Sequence, residues 1–188
     1  HLIAVRRDLS GYRHVHPVMS PDGTWRVASP FSDTNQNSRT NQNSQGGSYR
    51  VFADFAVTDG PALTLGTDVH VPGTFTPTPL PAPSDTATTH GYTVAMTGTL
   101  AAGKASKLTF TVEKDGVPVA DLRPYLAAYG HLVALREGDL AYLHVHPEGD
   151  VPTAGKPGGP RVVFAATAPT PGTYRLFLEF QHDGAVHT

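Results

Sequence analysis

The chain has 188 residues, 14 Lys and Arg against 16 Asp and Glu, and no cysteine. A net charge of −2 without a basic stripe argues against nucleic acid as a partner. The lack of cysteine excludes disulfides, thiolate nucleophiles, iron–sulfur clusters and covalently attached haem, and no apolar run reaches the roughly 18 residues that predict a transmembrane segment.

His1 to Arg6 reads as a strand, Asp8 to Gly11 as a turn, and Tyr12 to His16 as the return strand of a hairpin that Pro17 ends. Asp22-Gly23 is a second turn, followed by a short strand over Thr24 to Val27. Residues 33–45 contain no apolar side chain and carry the pentapeptide TNQNS twice, which predicts an exposed loop inserted into one copy of a repeat. Tyr49 to Val57 and Leu63 to Val71 read as long strands. A segment with Pro72, Pro77, Pro79, Pro81 and Pro83 predicts an extended, semi-rigid linker over 72–88. Strands follow at Tyr92–Leu100, Ser106–Glu113, Val117–Val119, Val162–Ala166 and Thr173–Phe180, with turns at Asp115-Gly116 and Asp183-Gly184. Asp121 to Tyr129 is the single helix-compatible piece, two turns at most. Short β-type runs punctuated by glycine and proline predict an all-β sandwich architecture.

The chain repeats itself. His1 to Pro17 (HLIAVRRDLSGYRHVHP) aligns without a gap to His131 to Pro147 (HLVALREGDLAYLHVHP), with nine of the 17 positions identical. Gly47 to Phe55 is echoed by Gly172 to Phe180. An internal duplication therefore predicts two tandem modules, 1–71 and 89–188. The second carries about forty residues ahead of its hairpin and the first carries none. The chain also stops just after the Asp183-Gly184 turn. The expectation is a trimmed chain whose first module lacks its N-terminal strands and whose second is cut short at its end. The alternative is that a second copy supplies strands by pairing between chains. No signal peptide is visible and the chain opens on His1 rather than Met, so the true start is expected to lie elsewhere.

The repeated hairpin ends in His-x-His-Pro. Residues i and i+2 of a strand share a face, so His14 and His16, and likewise His144 and His146, project side by side. Paired neutral imidazoles suit a borderline divalent ion. If the hairpin pairs residues whose numbers sum to 17, His1 lies across from His16, and the same offset sets His131 across from His146. A one-residue slip would send the third histidine to the opposite face. Asp54 and Glu179, matched carboxylates on matched strands, are read as a solvated strand face, with metal ligation or a hydrogen bond to a ligand histidine as the alternative. The recurring Arg6/Arg136 and Arg50/Arg175 are expected to pair with them. Tyr49/Tyr174 and Phe55/Phe180 read as core. His70, His90, His182 and His187 have no repeat partner and read as surface histidines. An N-terminal copper brace at His1 is disfavoured, because His131 fills the same repeat position without a free amine. No nucleophile elbow and no phosphate loop occur, so catalysis is not expected.

The pattern HL-x(11)-HxHP, followed in the first copy by Gly23-Thr24-Trp25 and in both by the Gly-x-Tyr-Arg strand, resembles a group of bacterial exported proteins and lipoproteins of actinobacterial type, some labelled heavy-metal-binding. The resemblance spans nearly all of the chain except 33–45, and in that group the first HL is internal. The modules also look like the immunoglobulin-like sandwiches of periplasmic copper carriers. The resemblance implies two tandem immunoglobulin-like β-sandwich modules outside the cytoplasm, with His14, His16, His144 and His146 as candidate ligands. The functional expectation is a copper- or zinc-binding carrier, with His1 and His131 completing the sites. The alternative is a structural or adhesive cell-envelope protein that assembles by strand exchange.

Overall fold

A computed structural model describes residues 1–28, 31, 46–143, 145–153 and 155–188, and for His146 the backbone alone. The TNQNS repeats and His144 lie outside these. The fold is all-β, with no helix among the described residues.

The chain divides into two compact units, His1–Leu80 with Gly138–Leu140, and Pro81–Glu137 with Ala141–Thr188. The first unit holds β1 (Leu2–Arg6), β2 (Arg13–Val15), β3 (Val18–Met19), β4 (Trp25–Arg26), β5 (Gly47–Ala56) and β6 (Ala62–Val71). One antiparallel sheet runs β2-β1-β5-β6, and β3 and β4 form a separate small hairpin. Gly47 is needed as glycine, because its φ of 127° is closed to other residues and the Phe75 ring packs over it 3.1 Å from where a Cβ would stand. The segment after β6 is tied back by Asp8, whose carboxylate accepts from the Thr78 amide at 2.7 Å and from Ser10. Burial pushes the Asp8 carboxyl up, but the hydrogen bonds from Ser10 and Thr78 and the charge of Arg6 outweigh it, so the group stays ionised to lower pH than usual.

The second unit contains β7 (Thr86–Thr89), β8 (Tyr92–Thr97), β9 (Ser106–Lys114), β10 (Val117–Pro118), β11 (His131–Arg136), β12 (Tyr142–Leu143), β13 (Val145–Pro147), β14 (Arg161–Ala166), β15 (Tyr174–His182) and β16 (Ala185–His187). A six-stranded sheet runs β13-β14-β9-β8-β7 with β10 beside β9, and a four-stranded sheet runs β12-β11-β15-β16. Their inner faces meet over one apolar core: Leu108, Phe110, Val112 and Phe164 from the first, Leu132, Ala134, Leu178 and Phe180 from the second. Alternation along β9 and β15 puts every second side chain into this core. Strand β7 begins at Thr86, inside the stretch expected to be linker.

The four-stranded sheets of the two units share strand order, and corresponding registers match. Leu2 pairs with Val15 and with Ala53, while Leu132 pairs with Leu178, its counterpart position. Phe180 is buried as expected, but its counterpart Phe55 is 37% exposed. The second unit covers that face with a second sheet; the described residues of the first unit form no equivalent.

The helix expected over Asp121 to Tyr129 is a tight turn instead. Leu126 and Ala127 both have positive φ (51° and 65°), and Tyr125 and Ala128 exchange backbone hydrogen bonds across them. The flanking backbone finds partners across the sheets rather than along a helix: Arg123 N–H donates to Gln181 and Leu122 N–H to Gly158. Leu122 is fully buried, so its side chain fixes the segment in the core at the expense of local propensity.

Phe164 is fully buried and Phe55 is not. Phe164→Ala is expected to lower unfolding free energy by about 3–5 kcal/mol, and Phe55→Ala by under about 1 kcal/mol. Urea unfolding followed by circular dichroism measures both.

Candidate metal centre

The β1–β2 register decides the site. Leu2 pairs with Val15 and Ile3 with His14, so pair numbers sum to 17 and His1 falls across from His16. All three imidazoles then lie on one face at the end of the hairpin. His1 Nδ1 stands 2.7 Å from His14 Nε2 and 3.2 Å from His16 Nε2. Ring centroids are 4.6 to 5.0 Å apart. One nitrogen from each ring lies within 4.8 Å of the others, and this is the single such group of histidines or carboxylates among the described residues. His1 is exposed and the other two are half-buried, so the convergence point is reachable from solvent.

The donor set fits a borderline divalent ion. Zinc–imidazole bonds of about 2.0–2.1 Å in tetrahedral array set ligand nitrogens roughly 3.3 Å apart. The His1–His16 spacing of 3.2 Å already meets this, while the His1–His14 pair at 2.7 Å would open by about half an ångström on binding. Asp54 is not a member of the group. It stands across from His1 in the β1–β5 register, accepts from the first amino group through its backbone oxygen at 2.8 Å, and its carboxylate accepts from the Thr64 hydroxyl at 3.2 Å.

In the second unit the counterpart residues are only partly described. His144 and the His146 side chain lie outside the described residues, so their expected ligand role has no geometry here. Val145 to Pro147 pairs with β14 rather than continuing along β11. His131 is half-buried, with Nε2 2.9 Å from the Tyr125 backbone oxygen. The strained Leu126-Ala127 turn thus delivers the carbonyl that engages His131. Across the β11–β15 register stands Glu179. It is only 5% exposed, which corrects the solvated-face reading of this carboxylate. Burial first and the Glu179 charge second push the Tyr125 hydroxyl above its ordinary range.

Other expectations need correction. Arg50 pairs with Asp68 at 3.3 Å, not Asp54, and its guanidinium lies over the Phe52 ring. Arg175 lies over Phe177 in the same way, so the recurring arginine–aromatic step is a stacking device on both strands. His182 is not a surface residue. It is 7% exposed, Asp121 accepts from its Nε2 at 3.0 Å, and its Nδ1 lies 2.7 Å from the Tyr92 hydroxyl. A carboxylate at Nε2 makes that nitrogen the donor and leaves Nδ1 to accept from Tyr92. Beside this chain, Lys114 and Asp183 form a 2.6 Å ion pair. Each partner holds the other charged, raising Lys114 and lowering Asp183. The signal for His182 was in the sequence: it lies two residues beyond Phe180, on the core-facing alternation of its strand.

Residues 87–188 match the model of a family described as a domain of unknown function, DUF8832. The chain belongs to this family. No curated protein and no solved structure matches it. The matched span contains His131, His144, His146, Glu179 and the Tyr92–His182–Asp121 chain, but none of His1, His14 and His16. No helix among the described residues is long and apolar enough to cross a membrane.

The Tyr92 hydroxyl is a buried donor. Tyr92→Phe is expected to cost about 1–2 kcal/mol, seen as a lower urea midpoint at unchanged slope, with copper and zinc uptake unaltered in the same preparation.

Proposed function

We propose that this protein binds a transition metal, copper or zinc, and carries or buffers it outside the cytoplasm. The observation that supports this reading is the convergence of His1 Nδ1, His14 Nε2 and His16 Nε2 within 4.8 Å of one another. Three neutral imidazoles without a thiolate favour Cu(II) or Zn(II) over tight Cu(I) binding. The half-exposed setting suits exchange with a partner or small ligand at an open coordination position. Extracytoplasmic location, immunoglobulin-like modules and bacterial origin enter this reading through the resemblance of the repeated hairpin to exported proteins. The proposed role is carriage and not catalysis. The second hairpin is proposed to bind through His131, His144 and His146. The bond from His131 Nε2 to the Tyr125 carbonyl is the kind of outer contact that orients a ligand histidine.

That bond also favours a second reading for the second unit. A histidine fixed to backbone beside a buried Glu179 serves equally as a structural residue of an envelope protein. Elemental mass spectrometry separates the readings. The chain is loaded with Cu(II) or Zn(II), desalted, and compared with His14→Ala/His16→Ala and His144→Ala/His146→Ala variants. The expected result is loss of a metal equivalent from the first variant, and of a further equivalent from the second if that hairpin binds. Unchanged retention in the first variant would overturn the assignment of His1, His14 and His16. Unchanged retention in the second alone would leave the structural reading for the second hairpin.

A further inference from the structure

We propose that β6 is a homodimer interface, pairing antiparallel with β6 of a second copy about a two-fold axis at Thr67. This does not depend on metal binding. Strand β6 is the outer strand of its sheet, ten residues long, and among the described residues nothing pairs with its free edge. It pairs residue for residue with β5 from Gly47↔Val71 to Ala56↔Ala62, so it has no bulge. It also contains no proline and no lysine. Bulges, proline and lysine are usual protections of an edge strand, and none of the three is present; the one charged side chain, Asp68, is neutralised by Arg7 and Arg50.

Which backbone groups face outward follows from one hydrogen bond. The Asp54 amide donates to His1 on β1, so even-numbered residues of β5 face β1 and odd-numbered ones face β6. The partners of those odd residues on β6 are Leu63, Leu65, Thr67 and Val69. The outward N–H and C=O groups of β6 therefore belong to Thr64, Gly66, Asp68 and His70.

Charge then selects among the registers that keep most of the ten-residue strand paired. A carbon side chain at residue 66 would meet the Arg50 guanidinium at 2.8 Å, so that cation lies directly over Gly66. Asp68 is held by Arg7 at 2.6 Å and by Arg50 at 3.3 Å. Placing Gly66 across from Gly66 of the second copy would set two guanidinium groups face to face. Placing Asp68 across from Asp68 would set two carboxylates face to face, and like charges directly opposite destabilise a sheet. The register between them puts Gly66 across from the second copy's Asp68, so each Arg50 gains a second carboxylate. It also sets Thr64 across from His70. On the other face Leu65 meets Val69, Leu63 meets Val71, and Thr67 meets itself. Leu63 and Leu65, 38% and 59% exposed in the single chain, gain apolar neighbours. One strand edge is thus complementary to itself in hydrogen bonding, charge and apolar side chains, as a two-fold interface requires.

The chain has no cysteine, so a single introduced one reports its own neighbour. In this register the two Thr67 residues form a non-hydrogen-bonded pair, whose closely spaced Cβ atoms suit a disulfide. The two Leu63 residues stand eight strand positions apart, roughly 27 Å. Thr67→Cys and Leu63→Cys chains are oxidised with diamide at micromolar concentration in the presence of a chelator, and run on non-reducing gels. Wild type and Leu65→Lys are compared by light scattering in the same buffer. The expected result is a covalent dimer from the Thr67 variant only, a wild-type mass twice 19.9 kDa, and a monomer for Leu65→Lys. A monomeric wild type would overturn the proposal. So would crosslinking equally efficient at both positions, or a dimer that survives Leu65→Lys with an unchanged circular dichroism spectrum.

Discussion

The pairing of β1 with its two neighbours is the constraint on which the first unit depends. With Leu2 opposite Val15 on one side and Ala53 on the other, strand alternation leaves no freedom about which side chains share a face. Ile3, Val5 and Phe52 are buried on the same face that carries the three histidines. A slip of β1 by one residue would replace Ile3 and Val5 on that face with Leu2, Ala4 and Arg6, and would move His1 away from His14 and His16. The apolar residues therefore hold the histidines together. Their burial supplies the free energy that keeps three imidazoles, each better solvated alone, with one nitrogen of each within 4.8 Å of the others.

The same logic gives the second unit its buried polar chain. His182 follows Phe180 on the core face, and a histidine there needs partners for both ring nitrogens. Tyr92 comes from β8 in the opposite sheet and Asp121 from the segment that replaces the expected helix. The chain thus stitches the two sheets together by hydrogen bonds across the apolar core. The ion pair of Lys114 with Asp183 closes the same end of the sandwich near the surface.

Strand positions were legible because glycine, proline and Asp-Gly turns punctuate the chain at almost every element end. Asp115-Gly116 and Asp183-Gly184 both adopt the positive φ values that two-residue hairpins demand. The hairpin register was legible as a condition: the sum that brings His1 to His16 is the one adopted. What escaped reading was set by tertiary contacts. Asp121 to Tyr129 has the composition of a helix, yet burial of Leu122 and backbone bonds to Gln181 and Gly158 override it. Phe55 and Phe180 occupy equivalent sequence positions, and only the presence of a facing sheet makes one of them core. Arg50 finds Asp68 because both stand on facing strands, which a pattern of recurring arginines does not encode.

The pairing of β1 with β5 joins Arg6 to Tyr49, residues far apart in sequence. By contrast β1–β2 and β5–β6 are local hairpins. Closure entropy is lost before a non-local pairing offsets it, so docking of the two hairpins through β1 and β5 is expected to be the slow step in assembling this sheet.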